Sequence, residues 1–392
     1  MKLYFYTEDR YVRGKDGKVY NPQGKYKYNT YQRYLSVFSQ IVVVARILCD
    51  STYNGEEKNL VEGHCVSVYD IPYYIGPREY LKVQTEVKKK IEKTINNDSA
   101  YILRVPGRIS QIAGNILHKK KIKYAVEVVG DPYDVFSKGA STHPLRVFFR
   151  YHGYFSLKKT VKNATTALYV TEKHLQNRYP NRNMCGVSDV SINEIDIINE
   201  AKRYKNHDAQ YTLVTIGTLD AMYKAPDIVL KVLQELNMRG YKCRLKWIGA
   251  GRLLDNIKRL SIDLNINDKV DFLGYVSDKI DIFHQLDSSD YFILASRQEG
   301  LPRVIPEAFA RALPVIGTKV GGIPELLQKN MLVDVNSSQQ ITEKIMFLID
   351  NPAIAEEISK QNLEKGLNFT EDVLQKRRVE FYSKVLESYN IQ

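Results

Sequence analysis

Two glutamates, Glu299 and Glu307, flank a loop between a short apolar run and a helical pattern in the second half of the chain. Seven residues separate them. Eight steps along one continuous helix would span about 12 Å, too far for a paired acid and base. Because Gly300 and Pro302 predict a tight loop, Glu299 can instead lie on the loop, with Glu307 in the helix. The two carboxylates would then hold two ends of one ligand, and free N–H groups at the helix start would bind its phosphate.

A second interpretation of the same stretch needs no ligand. Arg303, Glu307 and Arg311 are spaced four residues apart, so they would form a ladder of ion pairs along an exposed helix face. Glu299 would then be an acidic loop residue near the positive end of the helix. The spacing alone does not distinguish a ligand site from a surface ladder.

Short β-branched or aromatic runs alternate with helical patterns along the whole chain, about six strands in each half. This alternation predicts parallel sheets covered by helices on both faces. Two runs of strands favour an α/β protein with two doubly wound, Rossmann-like domains. An eight-fold barrel is the competing topology, but such barrels typically have ~250 residues, fewer than the 392 of this chain.

A polar stretch at residues 195–210 predicts the boundary between the two runs. We expect an N-terminal domain over residues 1–195, a C-terminal domain over residues 196–370, and a final helix over residues 371–392 that packs back on the N-terminal domain. Residues 7–29 follow the first predicted strand and read as irregular, which suggests a functional or mobile loop.

The composition indicates a folded protein with an anionic partner. Hydrophobic residues make up 44% of the chain and charged residues 26%, which excludes a disordered or fibrous protein. The first 200 residues carry 31 basic and 20 acidic side chains, and the remaining 192 carry 26 and 25. The basic first half therefore favours contact with nucleic acid, a membrane surface or an acidic ligand.

The cysteines and the apolar runs indicate an intracellular protein without a membrane span. The four cysteines form no C-x-x-C pair, so we predict reduced core residues rather than a zinc site. The N-terminus turns acidic too early for a signal peptide, and no apolar run approaches the ~20 residues that cross a bilayer. No RRM, KH or zinc motif supports nucleic-acid binding.

Four motifs follow one another in the second half, each after a predicted strand. They are G-T-L-D-A-M-Y-K-A-P-D at 217–227, K-W-I-G-A-G at 246–251, F-L-G-Y-V at 272–276 and E-G-L-P-R-V-I-P-E at 299–307. The last, continued by V-G-G-I-P-E-L at 320–326, resembles the E-x7-E signature of retaining glycosyltransferase family 4, of the bacterial surface-polysaccharide type. The resemblance covers the second half and, more weakly, the first. It implies the GT-B fold, in which two Rossmann-like domains face each other across a cleft.

The resemblance implies three residues with catalytic roles. Glu299 contacts hydroxyl groups of the transferred sugar, and Lys224 neutralises the diphosphate of a sugar nucleotide. Asp131 lies at a strand end that in the family polarises the acceptor side. Glu127, inside the same predicted strand, can face the cleft or pair with a buried cation.

The remaining implied residues bind the donor, and Glu307 among them holds the ribose hydroxyls. Two glycines let the backbone approach the nucleotide, a Tyr-Val pair frames the base, and three N–H groups of the signature loop approach the diphosphate. In chain order these residues are Gly249, Gly251, Tyr275, Val276, Gly300, Leu301 and Arg303. Thr218, on the first loop, is the remaining donor-binding residue.

Thr218 departs from the family, which usually carries arginine at that position. Half of the expected Arg/Lys clamp is therefore missing. Arg303 can supply the charge from the opposite loop, or Thr218 donates only a hydrogen bond.

The implied activity is retaining transfer of a hexose from a nucleoside diphosphate sugar, with UDP favoured, to a lipid-linked or glycan acceptor in surface (capsule) polysaccharide biosynthesis. We expect no cofactor and no metal, because lysine, arginine and N–H donors can stabilise the leaving group. The basic half favours a cytoplasmic protein held peripherally on the anionic inner face of the plasma membrane. The alternatives are transfer to a soluble or protein acceptor, and a nucleic-acid-binding or interaction protein on a degenerate GT-B scaffold.

Overall fold

The computed structural model describes residues 1–24, 26–137, 143–204 and 210–390. Its strands form two sheets, one in each of two units. The N-terminal unit comprises the described residues within Met1–Pro132, Tyr151–Val187 and Gln375–Gln392. The C-terminal unit comprises those within Tyr133–Arg150 and Ser188–Leu374.

The chain passes from the N-terminal unit to the C-terminal unit and later returns. It leaves the N-terminal unit after Val187, where the sequence predicts residue 195, and returns after Leu374, where the sequence predicts residue 370. Tyr133–Arg150 also groups with the C-terminal unit, which no sequence signal indicated. Part of the polar boundary stretch, residues 205–209, lies outside the described residues.

Seven parallel strands and one short antiparallel strand form the N-terminal sheet. The strands are β1 (Lys2–Arg13), β2 (Val19–Tyr20), β3 (Gln40–Cys49), β4 (Val66–Pro72), β5 (Ser99–Val105), β6 (Ala125–Val128), β7 (Thr166–Tyr169) and β8 (Met184–Gly186). Their order is β4-β3-β1-β5-β6-β7-β8, with β2 antiparallel on β1. Every residue of β5 is buried, as expected for a parallel strand covered on both faces.

The helices of the first half lie mostly between these strands. They are α1 (Tyr28–Gln32), α2 (Gly76–Lys93), α3 (Arg108–Lys119), α4 (Pro132–Val135), α5 (Arg146–Asn163) and α6 (His174–Arg178). The sequence prediction that residues 7–29 are irregular is wrong for the first part of that range, because β1 continues to Arg13. The pairing of β1 with β3 shifts between Tyr6 and Arg10, so a bulge carries the polar residues that break the apolar pattern.

Six parallel strands form the C-terminal sheet in the order β11-β10-β9-β12-β13-β14. They are β9 (Tyr211–Ile216), β10 (Cys243–Ile248), β11 (Val270–Gly274), β12 (Tyr291–Leu294), β13 (Val315–Thr318) and β14 (Leu332–Val333). The helices are α7 (Pro226–Met238), α8 (Leu254–Asp263), α9 (Lys279–Asp287), α10 (Val304–Ala310), α11 (Ile323–Leu326), α12 (Ser338–Asp350), α13 (Pro352–Gly366) and α14 (Glu371–Asn390). The two parallel sheets with intervening helices confirm the predicted α/β class of two Rossmann-like domains.

The strand order of the C-terminal sheet reverses beside β9. The chain moves outward from β9 to β10 and β11, and then returns to place β12 on the other side of β9. Ligands of doubly wound sheets bind at such a switch point, beyond the carboxyl ends of the strands. The motif at 217–227 follows β9 and the motif at 299–307 follows β12, so both lie at this point.

The cysteines and helices bear on two further expectations. All four cysteines are free. Cys243 is buried, but Cys49 is exposed at the end of β3, so the prediction of core cysteines is wrong for Cys49.

No helix in the described ranges is both long enough and apolar enough to cross a bilayer.

Candidate functional site

The loops after β9 and β12 bring a lysine into contact with a glutamate. The Lys224 ammonium lies 2.5 Å from Oε1 of Glu299, and the Ser296 hydroxyl donates a 2.6 Å hydrogen bond to the same oxygen. The paired side chains are only 12% and 10% exposed, so water screens their attraction weakly. Burial, followed by the charge of Glu299, raises the pKa of the adjacent Tyr223 to about 12. The tyrosine therefore stays neutral beside the pair.

A strained turn places Lys224. Lys224 ends a 3₁₀ turn, and Ala225 follows with a φ of 51°, a left-handed conformation that costs a residue with a Cβ about 1–2 kcal/mol. Gly217 precedes the turn, and a Cβ there would lie 2.8 Å from Cγ of Lys224. Strain of this kind persists only where the surrounding contacts fix the backbone.

Arg297 supplies such contacts, although the sequence analysis did not single it out. Its guanidinium donates to the Met222 carbonyl of the turn and to both carboxylate oxygens of Asp227. Its backbone N–H also donates to the Tyr223 carbonyl at 2.7 Å. The only signal in the sequence was its position two residues before Glu299.

The loop after β13 holds the backbone on the other side of Glu299. The Gly322 N–H donates to the Gly300 carbonyl at 2.6 Å. Gly321 has a φ of 54°, and a Cβ on it would lie 2.1 Å from the Glu299 carbonyl oxygen, so the position requires glycine. The N–H groups of Gly300 and Leu301 donate no hydrogen bond within the described residues, which leaves these donors to solvent or to a ligand.

Glu307 lies in the first turn of α10, after Arg303 at the N-cap position. Enclosure by the protein raises the pKa of the Glu307 carboxyl, and the positive charges of Arg303 and Lys279 oppose this effect. No described side chain or N–H group hydrogen-bonds to this carboxylate. An enclosed carboxylate with free acceptor capacity suits a ligand that brings hydroxyl groups.

The surface ladder proposed for the same helix is interrupted at Arg311. The guanidinium of Arg311 donates to both carboxylate oxygens of Asp287, at 2.6 and 2.5 Å. It also donates to the Asp196 carbonyl. Arg311 is thus held by a different element and not by Glu307.

Thr218 is engaged within its own loop. Its hydroxyl lies 2.8 Å from a carboxylate oxygen of Asp220 and 3.1 Å from the Ala250 carbonyl. Arg252 donates through Nε to the Asp220 carbonyl at 2.7 Å. The Arg252 guanidinium, which the sequence analysis missed, therefore contacts the loop of Thr218 from the neighbouring loop after β10.

Gly249 and Gly251 allow the loop after β10 to pack on the loop after β9. A Cβ on Gly249 would lie 2.1 Å from the Gly217 carbonyl oxygen, and one on Gly251 would lie 2.2 Å from the Leu219 carbonyl carbon. The packing alone therefore requires both glycines. The approach of a nucleotide to this backbone, which the resemblance implies, is not needed to explain the two glycines.

Tyr275 and Val276 follow β11 at the same edge of the sheet. The Gly249 N–H donates to the Gly274 carbonyl at 2.7 Å, which joins this segment to the loop after β10. Val276 packs against the core of the unit, whereas Tyr275 is 62% exposed. Of these two side chains, the ring of Tyr275 is therefore the one exposed enough to contact a ligand.

The two acids at the end of β6 are buried in the N-terminal unit. Asp131 accepts hydrogen bonds from the Arg178 guanidinium and, at 2.6 Å, from the Tyr179 hydroxyl. Glu127 accepts a 2.8 Å hydrogen bond from the Tyr34 hydroxyl and pairs with the buried Arg104 at 3.5 Å. Of the two possibilities left open for Glu127, the structure therefore shows the pairing with a buried cation.

Comparison with known proteins adds independent information. Residues 196–365 match the family model described as "Glycosyl transferases group 1". Protein CapJ of Staphylococcus aureus is 26% identical over 361 residues, which cover 87% of each chain. The O-antigen biosynthesis glycosyltransferase WbnH of Escherichia coli is 27% identical over 171 residues, 42% of this chain and 47% of WbnH.

The fold also matches solved structures. The crystal structure of Anabaena HepE in complex with UDP superposes with a TM-score of 0.68 at 13% identity, covering 98% of this chain and all of HepE. The segment matched by the family model contains the switch-point loops, Glu299 and Glu307. Residues 196–365 are therefore similar to the group 1 glycosyltransferases, and the fold of the chain is that of the GT-B structures.

Proposed function

We propose that this protein is a retaining, metal-independent glycosyltransferase that transfers a hexose from a UDP-sugar to a lipid-linked or glycan acceptor in surface-polysaccharide biosynthesis. The observation that carries the proposal is the Lys224–Glu299 contact at the switch point of the C-terminal sheet. It joins a cation suited to a diphosphate with a carboxylate suited to sugar hydroxyls. Comparing the anomeric configuration of donor and product by NMR tests retention.

The leaving group defines what the site must supply. Departure of a nucleoside diphosphate is favoured by positive charge and N–H donors that are already in place. Lys224 and Arg303 provide charge, and Gly300 and Leu301 provide N–H groups without an internal acceptor among the described residues. Arg252, in the loop after β10, is a further cation that contacts the loop of Thr218.

The proposed donor and pathway are supported by similarity to other proteins. HepE was solved with UDP, and WbnH is named for O-antigen biosynthesis. The free acceptor capacity of Glu307 and the exposed ring of Tyr275 fit a ribose and a base, and Asp131 is proposed to orient the acceptor through Arg178 and Tyr179. These features support a nucleotide-sugar donor and a polysaccharide product.

A screen of nucleotides tests the donor and the metal independence together. UDP should raise the melting temperature more than GDP or ADP, because a ligand that binds only the folded state stabilises it by RT ln(1 + [L]/Kd). The shift should persist in EDTA. A shift that appears only with Mg²⁺ or Mn²⁺ would contradict the metal-independent site, and no shift with any nucleotide would favour the degenerate-scaffold alternative.

One helix face of the N-terminal unit suits an anionic membrane. On α5, the rings of Tyr151 and Phe155 are 48% and 63% exposed, and the exposed Lys158, Lys159 and Lys162 follow on the next turns. Aromatic rings partition to the membrane interface, and each lysine near anionic lipid contributes about 1 kcal/mol. We propose that this face holds the enzyme at the membrane that carries its acceptor.

Vesicle sedimentation tests this face. The protein should bind phosphatidylglycerol vesicles and not phosphatidylcholine vesicles, and the Lys158→Glu/Lys162→Glu variant should lose most of that binding. The variant Lys258→Glu/Arg259→Glu makes the same change of net charge on the exposed side of α8 and serves as control. Equal losses in both variants would assign the effect to overall charge.

A further inference from the structure

We infer that Arg297 is a positioning residue of the transferase site, which fixes the Lys224 turn against the Glu299 loop without contacting substrate. The inference rests on the proposed function in one respect only, the roles given to Lys224 and Glu299. The contact between these two residues is itself part of the structure.

Arg297 binds three separate parts of the C-terminal unit through its guanidinium. Nη1 donates to the Met222 carbonyl at 2.6 Å, which lies in the turn after β9. Nη1 and Nη2 donate to the two carboxylate oxygens of Asp227 in the first turn of α7, at 3.0 and 2.7 Å. Nε donates to the Asn336 side chain at 2.7 Å. All three nitrogens are therefore engaged by protein, and the guanidinium acts through its neighbours.

The bonds of Arg297 reach both partners of the ion pair. Met222 and Lys224 belong to the same 3₁₀ turn, so the bond to the Met222 carbonyl fixes the turn that carries the lysine. Arg297 itself directly follows Ser296, whose hydroxyl holds the Glu299 carboxylate. The Arg297 side chain therefore links the two loops, together with its backbone N–H, which donates to the Tyr223 carbonyl.

The energetics favour a fixed link over a loose surface pair. The Arg297 side chain is 13% exposed and that of Asp227 is 26% exposed, and two-pronged arginine–carboxylate bonds are among the stronger, more directional hydrogen bonds in proteins. Within the turn, a single bond runs from the Ala225 N–H to the Met222 carbonyl at 3.0 Å, and the Arg297 backbone N–H donates to the Tyr223 carbonyl at 2.7 Å. Ala225 adopts a left-handed conformation, so a turn released from Arg297 would relax away from the present geometry.

The expected effect of Arg297→Ala is a loss of turnover larger than its loss of stability would explain. A misplacement of about 1 Å can cost ~100-fold in rate, so we expect kcat to fall by ~10- to 100-fold, with a smaller change in KM for the sugar nucleotide. Arg297→Lys keeps the charge beside Asp227 but cannot reach Met222 and Asn336 as well, so it should recover only part of the rate.

The chain offers a matched control in Arg311. Its guanidinium makes the same two-pronged contact with Asp287 and is 14% exposed, but it contacts neither switch-point loop. Arg311→Ala should lower the melting temperature about as much as Arg297→Ala and change kcat by less than ~2-fold. If the two variants lose stability alike and both keep kcat, the positioning role is overturned.

A second readout does not depend on the proposed activity. Acetylation of lysines by acetic anhydride, followed by peptide mass spectrometry, measures how well the ion pair protects Lys224. Protection should fall several-fold in Arg297→Ala and in Asp227→Asn, and stay unchanged in Arg311→Ala. Unchanged protection in both site variants would overturn the inference, even if they lack activity. Lost protection without any transferase activity in the wild type would instead refute the proposed function and leave the positioning role intact. Asp227→Asn keeps the test decisive if Arg297→Ala fails to fold.

Discussion

Replacing Glu299 with alanine should lower the turnover of the sugar nucleotide by ~100-fold or more. The proposed role of Glu299 is to hold hydroxyl groups of the transferred sugar, and each charge-assisted hydrogen bond contributes about 1.5–3 kcal/mol. Two such bonds correspond to at least two powers of ten. Bare UDP lacks the sugar, so its affinity should change by less than ~3-fold. Steady-state kinetics with the sugar nucleotide measures the turnover, and calorimetry with UDP measures the affinity.

The contact with Lys224 makes the comparison between ligands necessary. Removing Glu299 releases the ammonium that lies 2.5 Å from it, and a displaced Lys224 would weaken UDP and the sugar nucleotide alike. Glu299→Gln is the matched variant, because its amide oxygen can still accept the hydrogen bond of Ser296 while the charge is lost. If UDP and the sugar nucleotide lose affinity equally in both variants, Glu299 serves to hold Lys224 and does not contact the sugar.

The sequence predicted those parts of the site that depend on local order along the chain. Glu299 was expected on a loop after a strand and Glu307 inside the following helix, and the structure has β12, the loop and α10 in that sequence. Lys224 was expected, from its motif alone, in the loop after a strand, and the structure has it after β9. Strand, loop and helix are encoded by neighbouring residues, which is why this part of the prediction agrees with the structure.

Contacts between distant segments were not predictable in the same way. Arg297 and Asp227 are 70 positions apart, and they meet only because β12 lies beside β9. Taken alone, Arg297 is typical of a loop residue and Asp227 of a residue at the start of a helix. The same holds for Arg252, which reaches the Thr218 loop only because β10 is the other neighbour of β9.

Burial likewise decided a question that the sequence left open. Glu127 could face a cleft or pair with a cation, and the pattern of a strand does not show which face a polar residue occupies when both faces are covered. The partner, Arg104, lies on the adjacent strand β5 in direct register with Glu127. A charge on one strand becomes interpretable only once its neighbouring strand is known.

Glu307→Gln should stabilise the ligand-free protein at neutral pH and weaken its binding of UDP by roughly 5- to 30-fold. The affinity should fall because two ribose hydroxyls exchange a charged acceptor for a neutral one, a loss of about 1–2 kcal/mol in total. The gain in stability follows from the pKa of Glu307, which enclosure raises above the ordinary value of 4.5. Between 4.5 and the higher folded-state pKa, the folded protein binds more protons than the unfolded chain, so its free energy of unfolding falls as the pH rises.

The pH dependence separates this explanation from a simple packing change. Melting temperatures of the two proteins should differ least below about pH 4.5, where the carboxyl is protonated in both states, and the glutamine variant should gain as the pH rises towards 7. Loss of stability at pH 7, or unchanged UDP affinity in the folded variant, would contradict the ribose role.

Arg303→Ala extends the test of Glu307 to the missing charge at Thr218. If Arg303 serves the diphosphate, its loss should weaken UDP much more than uridine, and Thr218→Arg should restore part of the affinity in a double-mutant cycle. If Arg303 only offsets the charge of Glu307, its loss should further raise the pKa of that carboxyl, enlarge the stability gain of Glu307→Gln and affect UDP and uridine equally. Full UDP affinity in Arg303→Ala, with a loss in Arg252→Ala, would instead assign the missing charge to Arg252, whose guanidinium already contacts the Thr218 loop.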